Sequence, residues 1–327
     1  MRMLRNLTRL AAGAALALLG VFGAQAQETY PNRPVRVICG YPAGGGGDVL
    51  VRYYAAQLEK VTGQKFVVEN KVGANGKIGT DALIGARPDG YTLLVHGTAA
   101  VVGNTFLMKD PGYDPMRDLQ TVATLTESTF VLTVGPESKA GSVKELIAML
   151  KAANGSMKYG TATGVTLVAS EKFLIETGTK ATRVNYKGTV DAARELVGNQ
   201  IDFLISDATF SIAQAKQGRM KLLGVTTKDR LPSAPEIPTM SEAGVPGYIF
   251  TPKWAAWFPK GTPVDVVEKM NVWLSAIAAT DETKKFLTEN AATPLLTKSV
   301  AEAEAVVKGD FELWRKVTTE AKIEPQG

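Results

Sequence analysis

The chain has 327 residues, 45% of them hydrophobic and 21% charged, with 37 basic and 32 acidic residues and a formal net charge of +5. That length and balance exclude a disordered or fibrous chain and suit two domains of ordinary size, each with its own core. One cysteine, Cys39, excludes an intrachain disulfide, and one histidine, His96, with no cysteine pair offers no metal-ligand set.

Arg2, Arg5 and Arg9 precede the apolar run Leu10 to Phe22, and Ala24-Gln25-Ala26 forms a small-x-small cleavage site. Residues 1–26 therefore read as a secretion signal cleaved after Ala26, and the remainder as a soluble exported protein. The run is short for a membrane span, and no second long apolar run follows. Loss of the three leader arginines leaves 34 basic against 32 acidic residues, a net charge of +2. The charge thus gives no case for nucleic-acid binding, and no Lys/Arg block with interleaved aromatics occurs.

Val35 to Cys39 fits a buried strand. After it comes Ala43-Gly44-Gly45-Gly46-Gly47-Asp48, then Leu50, Tyr54, Leu58 and Val61 on one helical face, with Gly63 as the stop. Bare glycine amides at a helix start can converge on an oxyanion, with Asp48 expected as N-cap. A plain turn between strand and helix remains the other reading. Phe66 to Val68 and Tyr91 to Val95 read as strands, separated by the glycine-rich turn Lys71 to Gly79 and a short helix to about Ala86. Phe130 to Val134 is strand-like. Ser142 to Ala153 is a helix with a capping box, Ser142 and Glu145. Met157 to Tyr159, a helix near 166–177, Thr182 to Asn185, a helix at 189–197, and strands at 201–205 and 221–225 follow. This β-α-β rhythm points to parallel sheets with right-handed crossovers. A proline-rich stretch, Leu231 to Pro246, reads as an ordered extended connection between domains. Beyond it the chain becomes mostly helical, with one helix opened by Thr262-Pro263 and another over roughly 300–319.

Ordered segments along the whole mature chain resemble the periplasmic solute-binding receptors of tripartite tricarboxylate transporters, the Bug-type family. They include Tyr30-Pro31-Asn32-Arg33-Pro34-Val35-Arg36, Tyr41-Pro42-Ala43-Gly44-Gly45-Gly46-Gly47-Asp48, Val68-Glu69-Asn70-Lys71, Pro88-Asp89-Gly90-Tyr91-Thr92-Leu93-Leu94, Tyr186-Lys187-Gly188, Gly198-Asn199-Gln200-Ile201-Asp202 and Pro259-Lys260-Gly261-Thr262-Pro263. The resemblance implies an α/β, two-domain type II periplasmic-binding-protein clamshell with a ligand cleft between the domains. It divides the chain into residues 27–125 plus 247–327 as domain 1 and 126–246 as domain 2. It also implies capture of a small carboxylate, delivery to membrane permease subunits, a monomer, a periplasmic location, and no cofactor. Two departures stand out. Gly46 and Gly47 replace the Ser or Thr that commonly precedes the loop Asp, and Tyr159-Gly160-Thr161-Ala162-Thr163-Gly164-Val165-Thr166 lacks the His-Leu that relatives carry there.

The candidate ligand-binding residues are Tyr41, Gly45, Gly46, Gly47, Asp48, Thr98, Thr161, Thr163 and Asp207. Tyr41 and Thr98 end strands on the side where ligands approach parallel sheets. Loop packing is the other reading for Tyr41, and N-capping for Thr98. Thr161 and Thr163 supply hydroxyls. Asp207 stands where relatives carry a cleft Asp, with helix capping as its other reading. Trp254 and Trp257 are open between cleft wall and core. The glycines and Tyr41 tilt the solute toward an aromatic or bulky monocarboxylate. The alternatives are a periplasmic ligand sensor that presents its closed form to a membrane signalling partner, or a secreted enzyme. Against the enzyme, the chain has no Gly-x-Ser-x-Gly elbow, no P-loop and no His-Glu-x-x-His. A Cys39–His96 dyad has no orienting third group in sequence.

Overall fold

The computed structural model describes residues 30–326. The signal-peptide reading of residues 1–26 lies outside them. Internal contacts divide the chain between Arg33 and Pro34. Within Tyr30 to Arg33, the Tyr30–Pro31 peptide is cis. Every strand and helix among the described residues belongs to the unit from Pro34 onward.

Eleven strands occur among the described residues: β1 (Val35–Cys39), β2 (Phe66–Asn70), β3 (Thr92–Gly97), β4 (Leu119–Ser128), β5 (Phe130–Val134), β6 (Lys158–Thr161), β7 (Thr182–Asn185), β8 (Phe203–Asp207), β9 (Lys221–Val225), β10 (Lys253–Pro259) and β11 (Ala292–Pro294). They form a six-stranded sheet in the order β11-β4-β10-β3-β1-β2 and a five-stranded sheet in the order β7-β6-β8-β5-β9. Helices flank both sheets, giving two α/β lobes.

The parallel-sheet expectation holds only in part. β1 pairs parallel with β2 and β3, and β6 pairs parallel with β7 and β8. β10 runs antiparallel to β3 and β4, and β5 antiparallel to β8 and β9. Those antiparallel strands carry the chain between lobes. It leaves the first sheet at Ser128, enters the second at Phe130, and returns from Val225 to Lys253. Ser128 N donates to Pro252 O at 2.8 Å and Thr226 N to Phe130 O at 2.9 Å, so the two crossings lie side by side. Thr129, between β4 and β5, is fully buried.

Helix boundaries follow local chemistry. Helix Gly46–Thr62 ends at Gly63, whose φ of 70° is the left-handed stop that the sequence signals. Ser142 caps Val143–Ala153 by accepting from Glu145 N, while the Glu145 carboxylate accepts from Gly141 N rather than Ser142 N. Helix Val264–Ala279 starts after Pro263, which is its N-cap, so Thr262-Pro263 is not the Ncap–N1 pair expected. Ser299 caps the long helix Val300–Glu320. The proline-rich stretch is ordered but does not simply bridge the lobes. Val225 N donates to Pro238 O and Met240 N to Val225 O, both at 2.9 Å, extending the edge at β9. Leu231, Ala234 and Ile237 pack there with Val131, Ala208 and Val225.

Candidate functional site

The glycine loop leaves β1 and enters helix Gly46–Thr62 without a side-chain cap: Gly45 holds the N-cap position. Asp48 is therefore not the N-cap. It sits in the first turn, third in the helix and 2% exposed, and its carboxylate folds back into the loop. It accepts from Arg52 Nε (2.8 Å), Asn70 Nδ2 (2.7 Å) and Gly44 N (2.8 Å). Asn70 Nδ2 also donates to Tyr41 O at 2.9 Å. The Arg52 hydrogen bond, followed by those of Asn70 and Gly44, holds the Asp48 carboxyl down to about 2. Asp48 fixes the loop and is spoken for within it.

Gly45 N donates to Pro42 O at 3.2 Å. Gly46 and Gly47 open the first helical turn, where backbone N–H groups have no partner within the helix. Both line an open cavity of about 510 Å³ with walls from both lobes. Leu50, Trp254, Phe286 and Leu287 wall it from one side, and Asp207, Thr209 and Phe210 from the other. Thr126 and Ser128, at the end of β4, form its floor near the crossing.

Asp207 ends β8 and caps helix Ala208–Lys216, accepting from Phe210 N at 3.2 Å. It thus both caps a helix and lines the cavity. Burial raises its carboxyl above the ordinary range despite the backbone donors at Phe210 and Thr209.

Thr161 and Thr163 lie elsewhere. They line a second cavity of about 410 Å³ with Asn75, Asn104, Arg183 and Asn185. Thr161 Oγ1 donates to Asn185 Oδ1 at 2.9 Å, and Thr163 caps helix Gly164–Thr177 in a capping box with Thr166. The expected single set of contacts is therefore split. Gly46, Gly47 and Asp207 share one cavity, and Thr161 and Thr163 share the other.

Thr98 does not face either cavity. It is 1% exposed, its hydroxyl donates to Asp310 Oδ2 at 2.6 Å, and the N-cap of its helix is Gly97. Lys253 Nζ bonds the other Asp310 oxygen at 2.7 Å. This buried group ties β3, β10 and helix Val300–Glu320 together, a contact no local pattern signals.

Tyr41 backs the wall rather than lining the cavity. Its ring stacks on His96 at 4.4 Å and tilts against Trp254 at 5.1 Å. A Cβ on Gly47 would lie 2.6 Å from Tyr41 Cγ and 3.0 Å from Trp254 Cη2. The Tyr41 ring thus occupies the room that a Ser or Thr side chain would need at Gly47. Trp254 presents a wall, whereas Trp257 is fully buried core. His96 is 1% exposed, wedged against bare backbone; a Cβ on Gly40 would meet its Nε2 at 2.2 Å. Burial lowers the imidazole to about 4, and Nε2 has no partner among the described residues. Burial likewise raises the Cys39 thiol, whose Sγ points to Tyr41 O at 3.8 Å. Sequence reading missed Asn75, Asn104 and Arg183, and also Phe210 and Phe286. None carries a motif, and only the folded arrangement brings them to a cavity.

The pattern of the tripartite tricarboxylate transporter family receptor matches residues 50–319. A UPF0065 protein of Bordetella bronchiseptica is 34% identical over 81% of this chain and 78% of its own length. BugT of Bordetella pertussis is 30% identical over 96% of this chain and 98% of its own. Among solved structures, an R. palustris protein with adipate superposes with a TM-score of 0.78 at 29% identity, covering 91% of this chain and 100% of that one. The periplasmic binding protein BugD gives a TM-score of 0.74 at 29% identity over 91% of this chain and 100% of its own. MatC of Rhodopseudomonas palustris with bound malate gives 0.73 at 25% identity, covering 88% and 99%. The two-lobed α/β fold is thus the periplasmic-binding-protein clamshell that the sequence suggests, and the chain belongs to the tripartite tricarboxylate transporter receptor family.

Proposed function

We propose that this protein is an extracytoplasmic receptor that captures a small carboxylate between its lobes and presents it to the membrane subunits of a tripartite transporter. One observation carries the reading. The open first turn of a 17-residue helix, at Gly46 and Gly47, borders a cavity lined from both lobes. Unpaired N–H groups and the positive end of the helix dipole favour an anion there. Exclusion of water as the lobes close on the solute strengthens each such hydrogen bond. The relatives with adipate and malate support a carboxylate as the anion.

The working division is residues 27–125 with 247–327 as one domain and 126–246 as the other, consistent with the two crossings. Gly46 and Gly47 hold the carboxylate, Trp254 forms a wall, and Asp207 faces the solute from the second domain. Thr161 and Thr163 line a separate polar cavity. The protein acts in the periplasm as a monomer and without catalysis. The buried Cys39 thiol and the neutral, enclosed His96 support a receptor over an enzyme.

A thermal-shift screen across mono-, di- and tricarboxylates tests the reading. A ligand at one hundred times its Kd stabilises the native state by about 2.7 kcal/mol, a readily measured rise in Tm. Stabilisation by neutral sugars and by no acid overturns it.

A further inference from the structure

The chemistry of the larger cavity narrows the solute. Its walls are largely hydrocarbon and ring, Leu50, Trp254, Phe286 and Leu287 on one side and Phe210 on the other, with Thr126, Ser128, Thr209 and Asn290 as neutral polar groups among them. Among the described residues, no lysine, arginine or histidine lines it, and Asp207 is its only ionisable group. One Asp207 oxygen is engaged by Phe210 N. A negative charge is therefore accommodated at one end, by Gly46 and Gly47, while a fixed carboxylate faces the remainder. A solute with a second carboxylate would bring that charge into apolar walls, toward Asp207 and without a counter-cation. The polar cavity differs in kind, since Arg183 lines it together with asparagines and threonines.

Resting on the carboxylate function proposed for the cleft, we propose that the apolar cavity selects acids with a single negative charge and a ring-bearing apolar body. Asp207 is the specificity-determining residue that turns dicarboxylates away. This uses repulsion as well as attraction, as selective sites commonly do. The rings of Trp254 and Phe210 give an aromatic solute its contact area.

Isothermal calorimetry on the full mature chain tests this with benzoate and phenylacetate against adipate and malate. The wild type should bind at least one ring monocarboxylate about tenfold or more tightly than either dicarboxylate. Asp207→Asn keeps a helix-capping residue. It should shrink that gap about tenfold, the dicarboxylates tightening relative to the ring acids. Asp207→Ser, another capping residue, gives the same readout should the first variant fold poorly. Phe210→Ala should weaken ring acids about fivefold or more and leave dicarboxylates little changed. Adipate or malate binding the wild type as tightly as the ring acids overturns the proposal and leaves the carboxylate reading standing. A gap untouched by either Asp207 substitution overturns the role of Asp207. Failure of every acid to bind removes both readings.

Discussion

Two neighbouring glycines in the loop differ sharply in what surrounds them. At Gly47 an added methyl meets the Tyr41 and Trp254 rings, whereas at Gly46 nothing lies within 4 Å. Gly47→Ala should therefore cost about 1–3 kcal/mol through overpacking, while Gly46→Ala should stay within about 0.5 kcal/mol of wild type. Urea unfolding of the two variants checks the contrast. His96 makes a second prediction at this scale. The unfolded chain takes up its imidazole proton near pH 6.5, but the buried ring resists to about 4. The unfolded state binds more protons over that interval, so native stability falls as pH drops from about 6.5 to about 4, by about 3 kcal/mol in full. Asp207, raised by burial, works in the opposite sense. Unfolding free energies at pH 7, 6 and 5 should show a shallower fall in His96→Asn than in wild type. Gly46 and Gly47 were legible as a bare helix start and Asp207 as a residue at a strand end, and the fold brings all three to one cavity. The sequence could not tell an N-cap from the third residue of the first turn, because four glycines let the helix begin ahead of Asp48. Nor could it tell that the Thr98 hydroxyl turns inward to a carboxylate 212 residues away.

Among elements, those with punctuation were legible and those without were not. β1, β5 and the capped helices carry apolar runs bounded by Gly, Ser or Pro. β4 and β10 escaped sequence reading although they sit side by side within the larger sheet. β4 is rich in threonine and covered on both faces, so it shows no alternation of apolar and polar residues. Its hydroxyls tolerate burial by donating to carbonyls: Thr124 to Leu295 O at 3.0 Å and Thr126 to Thr293 O at 2.6 Å. β10 is irregular, with two register shifts against β4 and a terminal proline. The Thr98–Asp310–Lys253 group joins this region to helix Val300–Glu320, with the Asp310 side chain 7% and that of Lys253 19% exposed. Asp310→Ala removes the charged acceptor shared by the ammonium and the hydroxyl, leaving each a backbone carbonyl at 3.2 Å, and should cost about 1.5–3 kcal/mol. Asp310→Asn, which can still accept from Thr98, should cost less. Chemical denaturation of both variants resolves the difference.

At the level of the molecule, two adjacent crossings join the lobes, the arrangement of a hinge. A solute touching both lobes binds the closed form better and draws the population toward it. Small-angle scattering should therefore give a smaller radius of gyration at saturating carboxylate than without it; an unchanged profile counts against closure. The short link at Thr129 has a further consequence. Side chains of a strand alternate between faces, and Val131 packs with Ala208 and Val225 whereas Leu132 and Val134 enter the main core. Inserting or deleting one residue beside Thr129 would exchange those two sets and misfill both interiors at once. An outer loop carries no such constraint, but at this joint parity is fixed, and an odd change in length is forbidden.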